Sequence, residues 1–281
     1  MVKGLKLHKN QQADRSLIET QQFWNTHPCE GEFDTHAHRL RYRYLKGPYI
    51  PALITAHIPK GGRVLEVGCG QGADLCLLAK RSTRAVGIDL TPEAVRRTKD
   101  VLKQQNVKNA MVLVGNGEAL PIANQTFDAV YSFGVMHHSP NTQACIDEAY
   151  RILKPGGTAL IMLYRSRSPQ YIMVKMLRTL TYPFRSHLAN HFSTKKFHNS
   201  NFWGTSLAEL FGAPILKGYS HRQLKEMFSS FSRVSVLRYN TGLDRLRLWF
   251  SGSKQTLALI DGFEEATRDT LGFFNVIIAK K

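Results

Sequence analysis

The sequence predicts an α/β fold in which a mainly parallel sheet is covered by helices on both faces. Three observations carry that expectation. The apolar run Val64-Leu65-Glu66-Val67 enters the turn Gly68-Cys69-Gly70-Gln71-Gly72, and residues 73–80 then read as a helix. A second run, Ala85-Val86-Gly87-Ile88, ends at Asp89, an acidic residue about 20 positions beyond the glycine turn. Apolar, β-branched runs then alternate with helical patterns as far as residue 163, which is how buried parallel strands joined by crossover helices read.

The elements follow in order. Glycines after the first strand leave bare backbone for a ligand to approach and allow positive φ. Asp89, at the end of the second strand, is placed to hydrogen-bond ribose hydroxyls. Its alternative is a helix cap, a role that Thr91 followed by Pro92 fills better. A third strand over 110–114 leads into Gly115-Asn116-Gly117-Glu118-Ala119-Leu120-Pro121, and a fourth over 127–132 into Phe133-Gly134-Val135-Met136-His137-His138. After a helix, Leu153-Lys154-Pro155-Gly156-Gly157 opens a fifth strand over 158–163. Beyond residue 220 come a helix capped by Ser220, a strand over 233–237, a helix over 257–270 and a strand over 273–279.

The ordered segments VLEVGCGQG, GIDLT, GNGEALP, FDAVYSFGVMHH and LKPGG resemble those of the class I S-adenosylmethionine-dependent methyltransferases, especially the small-molecule branch near the ubiquinone and menaquinone methyltransferases. The resemblance spans roughly residues 60 to 164. It implies a Rossmann-like, doubly wound seven-stranded sheet in order 3-2-1-4-5-7-6, the last strand antiparallel, with a helical cap insertion. It divides the chain into an N-terminal helical segment covering the cofactor site (1–62), an S-adenosylmethionine-binding core (63–164), a substrate cap (165–219) and the C-terminal part of the sheet (220–281).

The same resemblance assigns S-adenosyl-L-methionine as cofactor and gives its residues. Gly68, Cys69, Gly70 and Gly72 would lie beside the methionine part and ribose, with Asp89 on both ribose hydroxyls. Glu66 would orient the methionyl ammonium; the alternative is a polar strand-end residue. Asn116, with Gly117 and Glu118, would read the adenine, although many relatives carry aspartate where this chain has Asn116. An amide oxygen still accepts a hydrogen bond, more weakly than a carboxylate. Leu90 would wall the adenine and Phe133 would pack near the cofactor or simply fill core. From the N-terminal segment, Tyr42 and Arg43, with Arg41 and Tyr44, are candidates for the methionyl carboxylate. His137 and His138 follow the fourth strand at the edge where ligands bind in this fold, and imidazole suits general-base work near neutral pH. Relatives retain a histidine at the second position without depending on it; His36 and His38 are runners-up, and an ionised nucleophile would need no base.

Composition bounds the rest. The chain has 281 residues, enough for one large α/β domain with an insertion. Its four cysteines, Cys29, Cys69, Cys76 and Cys145, lack metal spacing and read as reduced thiols, and no metal is expected. No apolar stretch reaches the roughly 18 residues of a bilayer span, and the first residues lack a signal-peptide core, so a cytoplasmic protein is expected. Net charge is +17, and residues 165–240 hold 12 basic residues against 2 acidic. That excess favours an acidic substrate, an anionic membrane surface or nucleic acid over a merely solvated basic face.

In the cap, residues 171–180 are expected to bury an apolar stripe against the catalytic domain as a lid, in preference to lying on a membrane. His187, His191 and His198, interleaved with Phe184, Phe192, Phe197, Phe202 and Trp203, suit a pocket for an aromatic or lipophilic substrate, or a satellite core. The leading expectation is methyl transfer to an oxygen, nitrogen or carbon of a small or lipophilic molecule, anionic ones included. The alternative is a macromolecule, nucleic acid or protein, docked through the basic cap. Nucleic acid is the less favoured, because Ser132-Phe133-Gly134-Val135 replaces the Asn/Asp-Pro-Pro-Tyr motif of amino-directed nucleic-acid methyltransferases. A binding-only fold is disfavoured by the intact glycine turn and Asp89.

Overall fold

Strand β1 (Arg63–Val67), buried from Val64 onward, lies inside the sheet. It pairs in parallel with β2 (Arg84–Asp89) on one side and β4 (Phe127–Phe133) on the other. Strand β3 (Ala110–Val114) extends the β2 side, and β5 (Leu153–Arg165) the β4 side. Strand β6 is a two-residue pairing, Gly218–Tyr219, beside the far end of β5. Strand β8 (Phe274–Lys280) runs antiparallel between β5 and β7 (Arg233–Tyr239), so the sheet order is 3-2-1-4-5-8-7. This is the expected seven-stranded order with the short β6 added. The molecule is described from a computed structural model over residues 2–28, 35–184, 187, 188, 191 and 206–281.

The period-two pattern of the strands sends alternate side chains to opposite faces. Val64 and Tyr131 join one core with Ile54 of α3 (Tyr49–His57), Leu75 and Leu78 of α4 (Ala73–Arg81) and Val95 of α5 (Pro92–Gln104). Leu65 and Val130 join the other with Ile146 and Ile152 of α6 (Thr142–Ile152) and with Leu224 of α9 (His221–Met227). Local chemistry fixes the helix starts. Thr91 caps α5 by accepting from the Ala94 N–H at 3.3 Å, with Pro92 in the first turn. Ser220 and Gln223 form a reciprocal capping box at α9.

Helices α1 (Val2–Thr26) and α2 (His36–Lys46) precede this core. Helix α1 is tied to the loop after β2 where the Gln21 side chain donates to the Leu90 carbonyl at 2.8 Å. After β5 come α7 (Pro169–Leu180) and α8 (Ser206–Gly212); α10 (Asp244–Trp249) and α11 (Lys254–Leu271) follow β7. Helix α7 packs Tyr171 and Val174 against the core and leaves Ile172, Met173, Met176, Leu177 and Leu180 exposed. Cys29, Phe192, Phe197, His198, Phe202 and Trp203 lie outside the described residues. Among the described residues no helix is long and apolar enough to cross a membrane, and no cluster of metal-ligating side chains occurs.

Candidate active site

The glycine turn after β1 is held by hydrogen bonds to neighbouring strands and helices and is crowded by side chains at two of its three glycines. Gly68 has φ +79°, and a Cβ there would stand 2.2 Å from Cγ2 of Val135. Its N–H donates to the Ile88 carbonyl at 2.6 Å, and the Thr98 hydroxyl donates to the Gly70 carbonyl at 2.9 Å. Gly70 has φ +52° and faces open space, whereas Gly72, at φ +80°, caps α4 with Thr98 against it. The turn floors a cavity of about 1190 Å³, open mouth included, at the carboxyl edge of β1, β2 and β4. Leu17, Thr20 and Trp24 of α1 line it from above.

Asp89 reaches this cavity from the end of β2. One carboxylate oxygen accepts from the Gly70 N–H at 2.9 Å; the other accepts from the Thr91 N–H at 3.0 Å and its hydroxyl at 2.9 Å. Burial pushes its carboxyl above the usual range, and these donors pull in the opposite direction. The Leu90 N–H is a further donor to the same carboxylate, so ligand hydroxyls would have to share or displace these donors at its roughly four lone-pair sites. Glu66, also buried, lines the cavity from β1.

Asp74 is a member of the site that sequence reasoning missed. It is buried in the first turn of α4, where it accepts from Arg43 Nε at 2.8 Å, from a second Arg43 nitrogen, from the Tyr131 hydroxyl at 2.7 Å and from the Tyr44 hydroxyl at 3.1 Å. Burial alone would raise its carboxyl, but the Arg43 charge and these hydrogen bonds hold it below the ordinary carboxylate range. Arg43 lines the cavity and lies over the Phe133 ring at 5.6 Å. Tyr42, in contrast, is buried away from the cavity beside Lys46, and Arg41 is exposed.

Asn116 and Gly117 line the opposite wall with Leu90. The Asn116 amide oxygen accepts from the Glu118 N–H at 2.9 Å, which folds the loop and leaves the amide NH₂ available. Glu118 is turned to scaffolding: its carboxylate accepts from the Ser139 hydroxyl and from the Asn141 N–H at 2.7 Å. Cys69 and Cys145 also line the cavity, and burial pushes the Cys145 thiol up to about 12, so it stays protonated. Cys69, Cys76 and Cys145 are free thiols. Phe133 lines the cavity and packs near Tyr49, Tyr131 and Phe274.

The two histidines part company. They share a 3₁₀ turn, Met136–His138, whose direction sends adjacent side chains to different places. His137 is fully buried against the Tyr164 ring at 3.7 Å and is absent from the cavity wall; burial and the neighbouring His138 hold its pKa well below the usual value. His138 lines the cavity, edge-on to Trp24 at 5.0 Å. Its Nδ1 lies 2.7 Å from the Ile215 carbonyl, an acceptor only, so Nδ1 carries a proton. Nε2 faces Glu209 of α8 at 3.4 Å, and Glu209 also accepts from the Tyr164 hydroxyl at 2.6 Å. Burial would raise the Glu209 carboxyl, but His138, Tyr164 and Lys46 hold it below its usual value. His36 and His38 lie away from the cavity, one buried and one exposed.

The fold thus gathers Glu66, Gly68, Cys69, Gly70, Asp89, Leu90, Asn116, Gly117, Phe133, Arg43 and His138 around one cavity, and leaves Gly72, Glu118, Tyr42 and His137 behind its wall. Trp24, Asp74 and Glu209 are the additions. An aspartate in the first turn of α4 signals only a favourable helix dipole, and Glu209 carried one hint, as the first of just two acidic residues in a basic stretch.

Residues 65–161 match the family described as a methyltransferase domain. Two similar curated proteins are an arsenite methyltransferase of Halobacterium salinarum, 31% identical over 40% of this chain and 29% of its own length, and a fatty-acid O-methyltransferase of Mycolicibacterium smegmatis, 31% identical over 43% of each. The chain therefore spans less than half the length of these relatives. Among solved structures, the PH0226 protein of Pyrococcus horikoshii shares the fold at a TM-score of 0.55 and 15% identity, over 92% of this chain and 98% of that one. Residues 65–161, the part that matches the methyltransferase-domain family, are also the part that carries the glycine turn and the first five strands of the sheet.

Proposed function

We propose that this chain transfers the methyl group of S-adenosylmethionine to a small, largely apolar molecule. The observation that carries the reading is that one cavity joins the glycine turn and Asp89 to an apolar wall of Trp24, Phe133, Val135 and Met136, with His138 beside it. The residues present fit the cofactor: bare backbone at Gly70, the Asp89 carboxylate at the end of β2, the Asn116 amide and a buried carboxylate at Glu66, all on one cavity. When bound, the cofactor supplies an already activated methyl on a sulfonium.

The chain's own work is then to bind, orient and keep out water. Asp89 would hold the ribose hydroxyls and Asn116 the adenine edge. The Asp74–Arg43–Tyr131 cluster fixes the wall beneath them. Trp24, Thr20 and Leu17 of α1 close the cavity from above, which favours the electrostatics of transfer by excluding solvent. Both ring nitrogens of His138 are engaged, Nδ1 with the Ile215 carbonyl and Nε2 with Glu209, so His138 would orient the accepting atom rather than offer it a bare nitrogen. Glu209 at 3.4 Å, with the Tyr164 hydroxyl upon it, holds the ring in that orientation. The names of the relatives, arsenite and fatty-acid methyltransferases, support a small-molecule acceptor.

The test is methyl transfer from labelled S-adenosylmethionine into a cell extract separated into lipid, aqueous small-molecule, protein and nucleic-acid fractions. Label in the lipid or small-molecule fraction, lost with Asp89→Ala, is the expected result. Label confined to protein or nucleic acid would overturn the small-molecule reading.

A further inference from the structure

Helix α7 presents to solvent a face that helices in water normally hide. Tyr171, Val174 and Arg178 form its inner stripe: Tyr171 is buried, and the Arg178 guanidinium donates to the carbonyls of Leu210 and Ala213, both at 2.7 Å. With the inner side stapled in this way, the outer side is fixed outward. At 100° per residue, Ile172, Met173, Met176, Leu177 and Leu180 fill an outer arc of roughly 140°, all five exposed, Met176 at 59% and Leu180 at 73%. Exposed Tyr182 and Phe184 continue it. Contiguous exposure of this kind marks an interaction surface.

The geometry points to α7 as a docking helix for an anionic lipid surface. Charge decides between occupants. Residues 165–217 hold 8 basic residues and one acidic, Glu209, which is engaged with His138 and Tyr164. Arg167 and Lys175 are exposed beside the apolar arc. A second copy of this chain, itself at +17, would be repelled. An anionic bilayer attracts basic residues at its surface and accepts the apolar arc beneath its headgroups. Tyr182 follows the helix as an aromatic residue of the type that settles at headgroup level. The surface stands apart from the methyl-transfer reading, since none of the arc residues lines the cofactor cavity.

The test uses the full chain and vesicles of phosphatidylcholine, with or without phosphatidylglycerol, in a flotation assay. The expected result is binding to the anionic vesicles, weakened by added salt and reduced roughly tenfold or more in the double variant Met173→Glu/Met176→Glu. Calorimetric affinity for S-adenosylmethionine, unchanged in that variant, shows that it is folded. It also separates this proposal from the methyl-transfer reading, which fails if wild-type protein does not bind the cofactor. Absence of vesicle binding, equal binding to neutral vesicles, or equal binding by the variant would overturn the proposal. So would a wild-type dimer that the double variant abolishes, which would make a second copy the occupant. A polarity-sensitive dye on Met176→Cys should shift to the blue only with anionic vesicles; a blue-shifted signal without vesicles would mean that the chain covers the face itself.

Discussion

Gly68→Ala tests whether the glycine turn and the loop after β4 are fitted to each other. An added methyl would stand 2.2, 2.4 and 2.8 Å from Cγ2, Cγ1 and Cβ of Val135, against an ordinary carbon–carbon separation of about 3.5–4.0 Å. Overpacking of this kind costs about 1–3 kcal/mol. The φ of +79° at this position adds about 1–2 kcal/mol for any residue with a Cβ. Gly68→Ala should therefore destabilise the fold by about 2–5 kcal/mol. Val135→Ala removes the two closest overlaps and leaves both the Cβ contact and the backbone strain, so it rescues only in part. In a double-mutant cycle by urea unfolding, the pair should fall short of additivity by about 1–2 kcal/mol. Cofactor affinity, measured by calorimetry on the same proteins, should recover in the same direction. Additivity within about 0.5 kcal/mol, or a Gly68→Ala protein as stable as wild type, would refute the fitted-loop account.

Other perturbations read other parts of the site. Asp89→Ala should weaken S-adenosylmethionine binding by about 1.5–3 kcal/mol, the scale for losing hydrogen bonds to a charged group; unchanged calorimetric affinity would remove Asp89 from the ribose role. Asp74→Asn leaves Arg43 facing a neutral partner and should cost about 3–5 kcal/mol, the scale for breaking a buried pair. Because the Asp74 carboxyl is held below its unfolded value, its stabilisation is complete above about pH 4 and fades as pH falls through the folded value. The variant should lack that acid limb in unfolding curves. His137 has the opposite linkage: its folded pKa is lowered, so the unfolded chain takes up the proton first as pH falls below about 6.5, at up to about 1.4 kcal/mol per pH unit. His137→Phe should flatten the loss of stability between pH 7 and 5, as followed by thermal melts; an unchanged slope would argue against a buried neutral imidazole.

The parts of the fold legible in the sequence are those written locally. β1 to β5 are short apolar runs closed by turn residues, and Gly68, Asp89 and Asn116 sit at positions tied to those turns. The rest depends on what topology brings together. Asp74 owes its role to Arg43, 31 residues before it, and to Tyr131, 57 residues after it, and no window of sequence holds all three. His137 and His138 are chemically identical neighbours that only the direction of a 3₁₀ turn tells apart. The stripe on α7 was visible as a pattern, but periodicity reports that a face is apolar and is silent on what meets it. Glu209 meets His138 only because α8 returns over the end of β5.

The placement of β8 also sets an order on how the molecule is made. Strands β1 to β5 neighbour one another, so the half that builds the cofactor cavity can assemble as soon as it leaves the ribosome. Strand β7 cannot follow, because both its sheet contact and its link to β5 run through β8, which is synthesised later. Until residues 274–280 emerge, β5 shows an open edge and β7 has no partner. During that interval the nascent chain is most exposed to edge-to-edge pairing and most dependent on chaperones. A truncation that spares every cavity residue but removes β8 should therefore fail by aggregation, with the cofactor site otherwise complete in sequence.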